Sequence, residues 1–311
     1  MNTIKLTKMQ GLGNDFVIVD YSEFEKANMS MAELALKLCD RNFGVGADGM
    51  IIPNLNPTVQ FLEGPEKKSI SFTPDIGWYF YNSDGTTAQM CGNGIRCFAK
   101  YAKDKKLISR NKFTVETLAG IIVPEILDDG TVKVNMSKPI LEPAKIPFKG
   151  ECDSPSPLAG EGRVRGVLNY NLQIEDKTFK LNAVSMGNPH CVIFTDGSED
   201  LLEMAKIYGP KIENHPLFPE KTNVEFIKVL SKTEMNLRVF ERGCGITLAC
   251  GTGACASVVA AILNNFTEGK VKVNLLGGSL TIEWQGSLAD PNYDVYMTGP
   301  ADYVFFAEYI L

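Results

Sequence analysis

The chain runs to 311 residues, 44% hydrophobic and 22% charged, with a formal net charge of −6. That length suits two cores better than one, and the mildly acidic balance, without a Lys/Arg-rich stripe, argues against nucleic acid as a partner. No apolar run approaches membrane-spanning length and residues 1–10 lack the apolar centre of a secretion signal, so a cytoplasmic protein without membrane contact is expected.

Residues 4–9 and 16–20 read as strands joined by Gln10-Gly11-Leu12-Gly13-Asn14-Asp15, whose glycines and short polar residues suit a tight turn. Asn14 is then either a turn residue or an amide presented from a strand end. Ser30-Met31-Ala32-Glu33 has the capping-box pattern, and Leu34, Ala35 and Leu38 carry an apolar face as far as Cys39. Gly44-Val45-Gly46 is no dinucleotide fingerprint, because it follows a helix and lacks the third glycine. A short strand is expected over 50–52, then an exposed excursion over 53–69, then a strand over 77–81 leading into Asn82-Ser83-Asp84-Gly85.

A helix running to about residue 103 follows, its basic end at 103–106 favoured by the helix dipole, and strands are expected over 112–117, 120–126 and 131–136. The proline-spaced stretch 139–147 is a natural boundary, and 152–162 has the composition of a loop. Strands over 178–185 and 191–195 flank Met186-Gly187-Asn188-Pro189-His190. Ser198, Glu199 and Asp200 cap a helix that Gly209-Pro210 should end. Strands over 222–229 and 235–240 lead to Glu241-Arg242-Gly243, and the helix over 254–263 is apolar almost all round, which calls for burial within a domain. Strands over 270–274, 279–284, 294–298 and 304–309 complete the chain.

Two stretches share one pattern: Cys91-Gly92-Asn93-Gly94 and Cys250-Gly251-Thr252-Gly253, each opening a helix. Asn82 stands nine residues before Cys91, and Glu241 nine before Cys250, each after an aromatic residue, Tyr81 or Phe240. The halves thus read as duplicates, many strands around one helix. A thiol at a helix start lies among unpaired N–H groups at the positive end of the dipole, which can lower a cysteine pKa from ~8.5 into the ~3.5–7.5 range. Two such thiols could work on opposite faces of one stereocentre, one removing a proton as the other supplies one, while the helix N-termini hold a carboxylate. No lysine marks a pyridoxal site, and Cys91/Cys97 and Cys250/Cys255 lack zinc-finger spacing, so neither cofactor nor metal is expected. Each cysteine alone could equally be a buried packing residue, the role assigned to Cys39, Cys97 and Cys255.

The chain resembles the diaminopimelate epimerase family. The shared motifs are Gly11-Leu12-Gly13-Asn14-Asp15-Phe16, residues 41–49, Asn82-x-Asp84-Gly85, Cys91-Gly92-Asn93-Gly94-x-Arg96-Cys97, Met186-Gly187-Asn188-Pro189-His190, Thr222-Asn223-Val224, Glu241-Arg242-Gly243 and the stretch from Ala249 to Cys255. The resemblance implies an α+β fold of two pseudo-symmetric lobes, each a barrel-like sheet wrapped around a central helix, with the active site in the cleft between them. The expected lobes are 1–136, completed by a strand at about 300–311, and 137–299. It also implies a cofactor-independent homodimer that interconverts LL- and meso-diaminopimelate in lysine and peptidoglycan-precursor synthesis.

In that reading Cys91 and Cys250 are the two acid/base residues, assisted by His190 and Glu241. Asn14, Asn82, Asn188, Asn223, Glu241 and Arg242 hold the distal zwitterion, and Gly92, Asn93, Gly251 and Thr252 meet the reacting carboxylate. Gly49 stands where some members carry Gln, Ile246 where Glu is common, and Cys244 is an additional thiol. A proline or hydroxyproline racemase of the same fold is the nearest alternative, and a thiol redox sensor is one of a different class.

Overall fold

The structure, a computed structural model, describes residues 2–57, 73–150 and 166–311. Most of the expected excursion over 53–69, and the loop over 152–162, lie outside the described residues. The chain divides into two units, Met1–Val134 with Gly299–Leu311, and Asn135–Thr298. Both are sheet-rich with few helices, the α+β class expected.

In the first unit, β1 (Thr3–Gly11) and β2 (Asn14–Ile18) form a hairpin in which Gly11 pairs with Asn14. The two loop residues, Leu12 and Gly13, take φ of 56° and 86°, as a hairpin turn matched to strand twist requires. Asn14 therefore opens the strand and is not a turn residue. After α1 (Tyr21–Glu25) comes α2 (Met31–Cys39), whose Ser30 and Glu33 form the reciprocal capping box. β3 (Gly49–Asn54) lies parallel to β2, and β4 (Ile76–Asn82) antiparallel to β3. α3 (Gly92–Asp104) then leads to β5 (Val115–Thr117), parallel to β4, and β6 (Gly120–Ile122), antiparallel to β5. The single strand expected over 120–126 is in fact two. The chain leaves β6 at Val123, and β7 (Pro124–Ile126) pairs instead with β8 (Val132–Asn135).

Every residue of β3 is buried because helices cover both faces of the sheet. On one face Leu34, Ala35 and Leu38 of α2 pack with Ile4, Leu6, Val17, Met50 and Ile52. On the other, Trp78 packs at a tilt against its strand neighbour Phe80 and against Phe98 of α3, and Phe16 meets Phe80 edge-on. Burying each such large side chain contributes roughly 1.5–3 kcal/mol.

The second unit repeats the plan. β9 (Val167–Ile174), β10 (Lys177–Ser185) and β11 (Pro189–Phe194) are antiparallel neighbours. α4 (Leu201–Glu213) crosses to β12 (Asn223–Ser231), parallel to β11, and β13 (Glu234–Glu241) returns antiparallel, with β14 (Gly245–Ile246) beside its end. α5 (Gly251–Leu263) leads to β15 (Lys270–Leu275), parallel to β13, then β16 (Gly278–Glu283) and β17 (Tyr296–Gly299). Finally β18 (Asp302–Ile310) runs antiparallel to β1 and forms the edge of the first unit's sheet. With it the first sheet reads β18-β1-β2-β3-β4-β5-β6, and the second reads β9-β10-β11-β12-β13-β15-β16, then β17. Strand for strand, the pairing directions are the same.

α4 does not stop at Gly209-Pro210 but continues to Glu213, capped at its start by Asp200, which accepts from the Leu202 and Glu203 N–H groups. Gly209 serves close packing instead of termination: a Cβ there would stand 2.6 Å from Phe240. α5 is buried except at Gly251, Thr252 and Ile262, and packs on β10, β11, β12 and β16. Residues along β11 and β12 alternate in what they meet. Cys191, Ile193, Val224 and Phe226 join the α4 core, which leaves His190, Val192, Asn223 and Glu225 for the opposite face, towards α5.

Candidate active site

Cys91 is the N-cap residue of α3, with extended backbone at φ −137° and ψ 123°. Its thiol donates to Asn14 Oδ1 at 3.4 Å, and Asn93 Nδ2 donates to the same oxygen at 3.2 Å. The far side of each amide is held. Asn14 Nδ2 donates to Asp48 Oδ2 at 2.5 Å, and Arg96 Nη2 donates to Asn93 Oδ1 at 2.9 Å. The buried Arg96 also donates to Gly92 O and Pro300 O, so it fixes the first turn of α3 and is not free to bind a ligand. Behind them Asp15 pairs with Lys8 and Arg41. Burial works against its charge, yet these two cations hold the carboxyl below the usual aspartate range. Gly92, with Asn93, presents the first-turn N–H groups that no helical carbonyl can reach.

Asn82 ends β4, paired with Gly49, and its Nδ2 donates to Thr86 Oγ1 at 3.0 Å. Gly49 has no room for the side chain that resembling sequences carry there. A Cβ would lie 2.7 Å from the Phe80 ring and 2.8 Å from Tyr81 O.

Cys250 is the N-cap residue of α5, with φ −119° and ψ 109°. Its sulfur accepts from Gly253 N–H at 3.3 Å and lies 3.5 Å from Thr252 Oγ1. Asn188 Nδ2 donates to Thr252 Oγ1 at 3.3 Å, while Asn188 Oδ1 is 3.0 Å from His190 Nε2. His190 Nδ1 is 2.7 Å from Glu225 Oε1, and both side chains are wholly buried. Glu241 accepts from the Thr247 hydroxyl, and its charge acts on the Cys250 thiol. Asn223 ties the starts of two segments: its Nδ2 donates to Pro189 O at 2.9 Å, and its Oδ1 accepts from Arg242 N–H at 3.0 Å. The Arg242 side chain is exposed and donates to Glu220 O.

The electrostatics of Cys250 differ from the expectation of a thiol made acidic by a helix start. Burial first, then Glu241 and Glu225, push its thiol well above the ordinary cysteine range, and the donors Thr252 and Gly253 only partly oppose them. Burial likewise raises Glu241 and Glu225, the first restrained by Thr247 and Cys250, the second by His190. The dipole argument left out these two carboxylates. Glu225 was absent from the candidate residues altogether; the signal was an ionisable residue within the apolar run Val224-Glu225-Phe226-Ile227, on the same face as Asn223. Cys97 and Cys255 are fully buried, and burial pushes the Cys97 thiol up to about 12. Among the described residues no group of three or more His, Cys, Asp or Glu side chains is arranged to hold a metal.

Two sheet-and-helix units of one topology define a fold that solved phenazine biosynthesis proteins and a hydroxyproline epimerase also have. It is similar to a phenazine biosynthesis protein of the PhzF family from Bacillus anthracis, at a TM-score of 0.64 and 16% identity over 100% of both chains. It is also similar to a hydroxyproline epimerase from Agrobacterium vitis, at 0.61 and 12%, covering 99% of this chain and 92% of that one. At such identities the likeness concerns the fold, which hosts several activities. The sequence is more specific. Residues 6–142 and 182–304 match the diaminopimelate epimerase family, and the chain is 47% identical over 307 residues to the diaminopimelate epimerase of Desulfitobacterium hafniense, covering 97% of this chain and 96% of that protein. The chain belongs to the diaminopimelate epimerase family.

Proposed function

We infer that the protein interconverts LL- and meso-diaminopimelate by proton transfer at the α-carbon, with Cys91 and Cys250 as the two bases. Supporting this above all is the repeated Cys-Gly-x-Gly helix start, found at the same point of two units of one topology within a diaminopimelate epimerase sequence. In one direction the Cys250 thiolate takes the α-proton and becomes a thiol, while the Cys91 thiol gives its proton to the opposite face and becomes a thiolate. The reverse reaction exchanges these roles. Glu241 stands beside Cys250 and burial raises its carboxyl, which suits a group that takes up the thiol proton when the thiolate forms. The N–H groups of Gly92, Asn93, Gly251 and Thr252 meet the α-carboxylate, whose charge grows as the carbanion develops. Asn14, Asn82, Asn188, Asn223, Glu241 and Arg242 bind the distal ammonium and carboxylate, which excludes amino acids lacking them.

In this reading the enzyme is a cytoplasmic homodimer serving lysine and peptidoglycan-precursor synthesis, and it needs neither pyridoxal phosphate nor metal. Incubation with LL-diaminopimelate in heavy water, in the presence of a chelator, should place deuterium at the α-carbon and yield meso product. Parallel incubation with proline should leave its optical rotation unchanged. Absence of exchange with diaminopimelate, or turnover of proline instead, rejects this function; light scattering in solution tests the dimer.

A further inference from the structure

Glu225 plays no part in the two-base scheme, yet it is wholly buried beside Cys250 and His190. Its carboxylate lies under the first turn of α5. A Cβ on Gly253 would stand 2.7 Å from Glu225 Oε1 and 3.2 Å from the Cys250 sulfur, so only glycine lets the helix come so close to both. Val192 pairs with Glu225 across the parallel strands β11 and β12, and His190 is two residues away on the same face. That diagonal brings imidazole to carboxylate at 2.7 Å. Glu225 Oε2 is buried without a hydrogen-bond partner among the described residues, while Oε1 meets the imidazole.

We propose that Glu225 is a positioning residue for the Cys250 half-site: through His190 it sets the direction of a hydrogen-bond chain that runs by way of Asn188 and Thr252 to the Cys250 sulfur. The inference follows from counting protons. Glu225 Oε1 and His190 Nδ1 at 2.7 Å hold one proton between them. Both side chains are wholly buried, where an uncompensated charge is costly, so the pair is electroneutral; His190 Nε2 then carries its own hydrogen whether the shared proton resides on nitrogen or on oxygen. Nε2–H then donates to Asn188 Oδ1, which turns the Asn188 NH2 to Thr252 Oγ1, and that oxygen, having accepted, has its hydrogen free for the sulfur 3.5 Å away. With His190 in the other tautomer, Nε2 would be bare. The Asn188 amide would turn round to donate to it, its oxygen would accept the Thr252 hydrogen, and the sulfur would lose that donor. A fixed direction also decides what Asn188 offers a substrate: the remaining N–H, suited to a carboxylate, more than an acceptor.

This inference rests on Cys250 being one of the two bases, and its test separates the two claims. The chain has only two histidines, His190 and His215, so nitrogen NMR of histidine-labelled protein reads the ring of His190 directly, with a His215→Asn variant for assignment. The expected result, without substrate, is a protonated Nε2 and a strongly hydrogen-bonded proton on the Nδ1 side. A bare Nε2 overturns the proposal, whatever the variants do. In Glu225→Gln the amide can face the ring with either end, so His190 should sample both tautomers. Deuterium exchange at the substrate α-carbon should then fall roughly five- to tenfold in kcat, with KM moved less than about twofold, the scale of one charge-assisted hydrogen bond. Exchange at the parental rate, or a His190 that keeps a single tautomer in the folded variant, also overturns it. If the variant does not fold, the parental spectrum alone decides. Parent protein that exchanges nothing with diaminopimelate rejects the proposed function and leaves the histidine measurement standing.

Discussion

The surroundings of the two cysteines share a frame and differ in charge. In both, a strand that ends nine residues upstream leads to a cysteine that caps a helix, followed by Gly-x-Gly. Beside Cys91 the Asn14 amide accepts from the thiol and from the Asn93 amide, with the charges of Asp48 and Arg96 one step behind them. Around Cys250, itself buried, stand two carboxylates and a buried histidine. A duplicated fold therefore supplies the dipole and the first-turn N–H groups twice, while residues at the strand starts and ends set the electrostatics of each copy. Under the proposed two-base scheme, which runs both ways, each thiol must serve as acid and as base. The neighbours can differ because each sulfur makes that exchange in its own surroundings.

That comparison can be broken most directly at the sulfurs. Cys91→Ala and Cys250→Ala should each lower α-carbon exchange by roughly 10²–10⁴-fold while leaving diaminopimelate binding by calorimetry largely intact. If one variant retains parental exchange, a pair of bases is the wrong mechanism. Alkylation sharpens the contrast. At neutral pH the Cys250 thiol, pushed up by burial and its two carboxylates, should react with iodoacetamide more slowly than a free cysteine, and its rate should still be climbing with pH where a free thiol has levelled off. Peptide mapping of the alkylated protein against pH checks this.

The equivalent glycines provide a gentler comparison. A Cβ on Gly94 meets Phe16 and Cys91 at 3.4 and 3.5 Å, ordinary contact, whereas one on Gly253 collides with Glu225. Gly253→Ala should thus cost about 1–3 kcal/mol in urea unfolding, and Gly94→Ala should be near neutral, with a helix-propensity gain of up to ~1 kcal/mol offsetting the contact. Smallest are the caps of the outer helices. Ser30→Ala, which breaks the capping box of α2, should cost about 1 kcal/mol. Asp200 caps α4, and the backbone N–H groups of Glu203 and Leu202 hold its carboxyl below the usual aspartate range. The folded state thus favours the charged form. That stabilisation is present above the ordinary aspartate pKa and is lost as pH falls through the folded-state value, so Asp200→Ala should matter near neutrality and cease to matter in acid.

Much of this was legible in the sequence because local chemistry and tertiary structure agree there. The Ser30/Glu33 box, the all-apolar α5 and the two Cys-Gly-x-Gly helix starts are signals that burial and capping merely fulfil. Gly209-Pro210 misled because a glycine can be present for close approach to Phe240 as well as for ending a helix, and only the neighbouring strand tells which. Residues 120–126 hid a change of partner, since strand propensity does not say which strand is alongside. The short α1 and β14, and the strand β9, carry too little periodicity to stand out. Glu225 was missed for a related reason: a lone acidic residue in an apolar strand reads as an outward-facing position until a helix is known to cover that face.

The return of β18 to pair with β1 has a consequence for biosynthesis. During translation, every strand of the second unit emerges before the segment that flanks β1, so the later unit can complete its hydrogen-bond ladder while the earlier one still has an open edge. Until Asp302–Ile310 arrive, β1 is available to any extended peptide in the cell, which makes that interval the stretch of the protein's life most exposed to mispairing.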